Sequence, residues 1–175
     1  MNPMFLNPKG YTLVEDPAKS SWWEIVYECT LDPKHPLGFL SEAGNRYQPD
    51  RHFFTNQGSL PRVPPFVRMI WPKDRFLGFL IHDSGYIHGG LWMWSELCGR
   101  MAFKTMTRKQ VDDLLYEMIL ADPIPGNRAS AWMIWSHVRM YGGFCHFGAG
   151  DSEARYGKQP PTVDPLGTNN ILRQA

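Results

Sequence analysis

The chain has 175 residues, 43% of them hydrophobic and 20% charged, with 18 Lys and Arg against 17 Asp and Glu. That balance excludes a wholly disordered chain, suits one folded domain with a sizeable core, and gives no whole-chain attraction for nucleic acid or an anionic membrane. Cys29, Cys98 and Cys145 are far apart and odd in number, which excludes a disulfide framework or a CxxC metal pair and makes a reducing compartment the expected setting.

In chain order, residues 1–10 are rich in Pro and Asn and are read as an N-terminal arm. No basic segment followed by an apolar run is present there, so no signal peptide is expected, and no apolar stretch approaches membrane-spanning length. Tyr11–Val14 is a short β-like run, and Trp22–Leu31, rich in aromatic and β-branched residues, is the best strand candidate. Residues 32–50 hold many Gly, Pro and Asn and are expected to be mostly loop, with Arg51–Thr55 a further short strand.

A turn-rich stretch then leads to the segment Phe76–Tyr86, which is expected to open a helix stopping at Gly89-Gly90. Leu91–Phe103 is aromatic and reads as loop with some helix. Thr107 and Gln110 form a capping box that opens a second helix running to Ala121, before Asp-Pro. A third helix is expected over Arg128–Tyr141, stopped by Gly142-Gly143. From residue 148 the chain is polar and reads as an extended or disordered C-terminal arm. The expected fold class is therefore α+β. Small N-terminal antiparallel strands pack on a bundle of three helices, with 11–147 as the single globular domain between arms 1–10 and 148–175.

Each helix carries charge on the side that should face the core. On the first, Phe76, Phe79, Leu80 and Ile87 share a face with Asp83 in its middle, and Leu77 and Ile81 make the opposite side apolar too. On the second, Val111, Leu114, Leu115, Met118 and Ile119 form the buried arc, with Arg108 inside it and Asp112 at its edge. On the third, Trp132, Trp135 and Val138 are the expected stripe, with Arg139 inside it.

Buried charge must be paired, so the plain expectation is a structural polar network of Arg108, Arg139, Asp83, Asp112 and Tyr86. The sharper expectation is a catalytic site of His82, Asp83 and Asp112, with Ser59 as a nucleophile for which His82 is the base. Adjacent His and Asp side chains splay by roughly 100° on a helix, so a metal held by His82 and Asp83 needs a third ligand from elsewhere, for which Asp112 and Asn56 are the candidates. A divalent metal is the one cofactor this set suggests. Ser59 precedes Leu-Pro-Arg rather than sitting in a nucleophile elbow, the surroundings of a turn residue. The Trp22-Trp23 and Trp92-Met93-Trp94 clusters suit core packing or stacking on sugars and bases.

Four segments in order resemble a domain family of unknown function from tailed phages and prophages. The family pattern is F-x-T-D-x-x-S-x-P-R, H-D-x-x-Y, S-R-x-x-A-D and V-R-x-F-G. Here it reads Phe53, Thr55, Asn56, Ser59, Pro61 and Arg62, then His82, Asp83 and Tyr86, then Thr107, Arg108, Val111 and Asp112, then Val138, Arg139, Tyr141 and Gly142. Asn56 replaces the first family aspartate, and a neutral amide is a poor metal ligand or base. The resemblance implies a phage origin and a compact α+β domain. It favours a virion-associated structural or assembly protein of the tail or particle, made in the host cytoplasm and partnered by other phage structural proteins or by itself. The alternative is a metal-dependent hydrolase of bacterial cell wall that uses His82, Asp83 and Asp112. Balanced charge and the lack of a basic aromatic strip give no nucleic-acid signal.

Overall fold

The computed structural model describes residues 2–20, 25–56, 76–97, 99–122 and 128–141. Within them the fold is α+β. Eight strands run β1 (Met4–Leu6), β2 (Tyr11–Glu15), β3 (Tyr27–Leu31), β4 (Gly38–Leu40), β5 (Arg46–Gln48), β6 (His52–Thr55), β7 (Gly90–Ser95) and β8 (Arg100–Thr105). Three helices are α1 (Phe76–His88), α2 (Arg108–Ala121) and α3 (Arg128–Tyr141). A five-stranded antiparallel sheet has the order β1-β4-β5-β7-β8, and a three-stranded one the order β2-β3-β6.

Several sequence expectations need correction. The N-terminal ten residues are not only an arm, because Met4–Leu6 pairs with β4 as an edge strand. Residues 32–50 are not mostly loop, since they supply β4 and β5. Leu91–Phe103 is a β-hairpin rather than loop with helix, in register Gly90↔Thr105 through Ser95↔Arg100. The strand expected over Trp22–Leu31 starts at Tyr27, and its first residues 22–24, like the C-terminal arm from 148, lie outside the described residues.

The core explains the layering. Tyr47 pairs with Phe39 on one side and Met93 on the other, so these side chains share the face of the large sheet that meets the helices. They join Cys29, Leu31 and Phe53 of the small sheet and the apolar faces of α1 and α2 in one cluster. Phe39, Phe53, Leu80, Ile81, Leu91, Leu115 and Met118 are all fully buried there. Helix α1 is apolar on both sides because it lies between α2, β6 and β7.

Two glycines one heptad apart bring α1 close to α2. A Cβ at Gly78 would meet Leu115 and Met118 at 3.4 Å, and one at Gly85 would meet Val111 Cγ1 at 2.8 Å. Gly85→Ala is therefore expected to destabilise the fold. Helix propensity returns about 1 kcal/mol, and overpacking against a stiff valine costs about 1–3 kcal/mol. The net loss, up to about 2 kcal/mol, is read from the shift in urea midpoint, and a midpoint that rises would show that the helices are not packed this closely. Helix α1 ends at His88 with Gly89 at φ 67°, whose carbonyl accepts from the Met106 N–H and fixes where α2 begins.

Candidate functional site

Helix α2 starts as its sequence requires. The Thr107 side chain accepts from the Gln110 N–H, the Gln110 side chain accepts from the Thr107 N–H, and the capping box is closed. That start sets the rotation of Asp112, whose side chain is completely buried. Oδ1 accepts from the Tyr86 hydroxyl at 2.5 Å and lies 3.1 Å from His82 Nε2. Oδ2 accepts from Arg139 Nη1 at 2.9 Å, with Arg108 Nε at 3.6 Å, beyond hydrogen-bond range. Arg108 instead donates through Nη2 to the Arg139 carbonyl. One carboxylate thus ties α2 to α1 and to α3.

The network continues on the other side of His82. Its Nδ1 lies 3.6 Å from Asp83 Oδ1, and Asp83 Oδ2 accepts from the Thr55 hydroxyl of β6 at 2.6 Å. The His82 ring lies against Tyr86, with centroids 4.3 Å apart. The whole chain reads Thr55, Asp83, His82, Asp112 and then Tyr86 and Arg139, and it links one strand and all three helices.

The electrostatics follow from these contacts. Burial opposes charging His82, but hydrogen bonds and the charges of Asp112 and Asp83 outweigh it and raise the imidazole pKa. Burial likewise opposes ionising Asp112, and its bonds to His82, Tyr86 and Arg139 hold the carboxyl below the usual range nonetheless. Burial and the ionised Asp112 keep the Tyr86 phenol far above its ordinary value. Cys29 is fully buried, and burial, then the Asp83 charge, push its thiol up to about 12, so it is inert as a nucleophile.

Measured against the sequence reading, His82, Asp83, Tyr86, Arg108, Asp112 and Arg139 come together, with one change of partner. Arg139 bonds to Asp112 while Arg108 lies beside that carboxylate and bonds to the Arg139 carbonyl, and Asp83 is half-buried and held by Thr55. His82, not Asp83, is the more deeply buried member of the pair. The expected metal set does not converge: the two ring nitrogens of His82 face Asp83 and Asp112 in different directions, so the three ligand atoms share no centre. Among the described residues no group of three His, Cys, Asp or Glu side chains could hold a metal ion. Ser59 lies outside the described residues. Asn56 follows β6 half-buried.

The expected stripe of α3 also needs correction. Trp132 is 61% exposed, and the buried side chains are Ala131, Ile134 and Val138. The helix is rotated so that Arg139 reaches Asp112 and the Trp135 indole donates to Asp113 at 3.1 Å. The sequence reading missed Thr55 and Asp113 as partners, and the only signal for Thr55 was its place in the first family segment.

Comparison with family models, with curated proteins and with solved structures gave no match. No described helix is long and apolar enough to cross a membrane.

Proposed function

We propose that the chain is a bacteriophage-encoded, virion-associated structural or assembly domain of the tail or particle that binds other phage structural proteins or further copies of itself. One observation carries this reading. The carboxylate at the centre of the motif residues is sealed, with no surface exposed and donors from two other helices on both of its oxygens. A centre so filled does the work of a fastener, and contact with other molecules falls to the surface. There α3 presents Trp132 and Met140, each 61% exposed and on one side of the helix, and the β7–β8 turn presents Leu97. The motif segments that resemble the phage family supply the setting.

The test is mass spectrometry of purified particles made by the genome that encodes the chain, with sedimentation of the isolated protein. The expected result is a stoichiometric particle component, or a specific assembly with another particle protein. A monomer absent from particles would overturn the reading.

A second reading, a metal-dependent hydrolase of bacterial cell wall that uses His82, Asp83 and Asp112 as proton-transfer groups rather than as a joint metal centre, is favoured by one feature. Asp83, its side chain 17% exposed, is the solvent-side member of a carboxylate–imidazole–carboxylate row, 3.6 Å from the ring that Asp112 meets at 3.1 Å on its other side. Clearing of cell-wall suspensions that needs added zinc and is abolished in His82→Gln would support it. Inactivity with every divalent metal would remove it.

A further inference from the structure

A second polar cluster lies on the other face of the five-stranded sheet. Gln48 pairs with Trp92, and Trp92 with Phe103, so their side chains share that face with Arg46 and Trp94, two residues along their strands. Gln48 is 1% exposed, and neither its Oε1 nor its Nε2 has a hydrogen-bond partner. The buried Nε of Arg46 has none either. Among the described residues, Asp50, 7% exposed, receives two long bonds of 3.4 Å, from the Trp92 indole and the His52 N–H. Trp92 is buried yet stands outside the continuous hydrophobic core.

A desolvated amide has two N–H donors and an acceptor to satisfy, and leaving them empty is among the costlier defects a fold can carry. We propose that this face binds the acetamido group of a neutral N-acetylated saccharide, with Gln48 as partner to the acetamido N–H and C=O. Three features select that ligand. The group complementary to a carboxamide, donor beside acceptor, is another amide. Arg46 and Asp50 balance in charge, which suits a neutral molecule and disfavours phosphate. Trp92, with Phe103 edge-on at 5.7 Å, and Trp94 give the aromatic lining on which the C–H face of a pyranose packs. Arg46, Trp94 and Phe103 are half-buried, so the rim of the cluster reaches solvent. The inference stands independently of whether the domain is a particle component.

Saturation-transfer NMR on the full chain tests it with three probes: N-acetylglucosamine, glucose and N-acetylalanine methylamide. The expected result is transfer to the acetyl methyl of N-acetylglucosamine, with a dissociation constant of about 1 mM. Glucose and the peptide analogue bind at least roughly tenfold more weakly, as do Gln48→Leu and Arg46→Met with the acetylated sugar. Gln48→Leu should melt no lower than the parent, since it removes a polar group without a partner. Should that variant fail to fold, Arg46→Met decides alone. No transfer from N-acetylglucosamine, or equal transfer in the variants, would overturn the proposal. Equal or tighter binding of N-acetylalanine methylamide would overturn it too, and would assign the face to a peptide.

Discussion

Replacing Asp112 with alanine is expected to lower folding stability by about 3–5 kcal/mol. The reason is what remains: a buried phenol, a buried imidazole and a guanidinium that lose their common acceptor. Leaving such donors unmet costs more than their bonds contributed. Arg139→Ala should cost clearly less, because that side chain is 32% exposed and its partner keeps Tyr86 and His82. Urea unfolding followed by circular dichroism measures both, and a loss below about 1 kcal/mol for Asp112→Ala would mean that the carboxylate holds nothing.

The second large effect is on pH dependence. His82 has a folded pKa raised above its unfolded value of about 6.5. Its contribution is therefore full below about pH 6.5 and is lost as pH rises through the folded pKa. Asp112 has a lowered folded pKa, so its contribution is full above about pH 4 and is lost as pH falls through the folded value. Facing His82 are Asp83 and Tyr86 from its own helix, Asp112 from α2, and Thr55 of β6 through Asp83. Thermal melts across pH should show a broad maximum between these limits with a decline on the alkaline side. His82→Gln should flatten the alkaline decline and leave the acid one. An alkaline limb unchanged in that variant would show that His82 is neutral in the folded protein.

Helix α2 was fully legible because its start is written in a local code, Thr107 with Gln110, and its buried arc follows the 3.6-residue period. The ends of α3 were legible for the same reason, from Gly and Pro punctuation. The hairpin of β7 and β8 was not. Leu91 and Met93 face the core while Trp92 and Trp94 face the Gln48 side, so both faces are apolar and the alternation that marks a strand is absent. Strands β1, β4 and β5 have three residues each, too few for any periodic signal, and exist because neighbours pair with them.

At the site, helical spacing showed that Asp83, Asp112, Arg108 and Arg139 must find partners inward. It could not show which, because the rotation of one helix about another depends on packing from distant parts of the chain. Gly78 and Gly85 let α1 settle against α2 so that His82 and Tyr86 reach Asp112. Asp83 is left to Thr55, from a strand 28 residues earlier. The exposure of Trp132 shows the same limit: a tryptophan among apolar neighbours reads as core, yet Ala131 and Ile134 take that place beside Val138, which was expected there.

Asp112 fastens α1 to α2 from inside the protein. A double-mutant cycle on stability between Tyr86→Phe and Asp112→Ala tests it most directly. Phenylalanine keeps the ring and removes only the hydroxyl that donates to Asp112. The two changes should be strongly non-additive, with a coupling of about 1–3 kcal/mol. Additivity within about 0.5 kcal/mol would contradict the account.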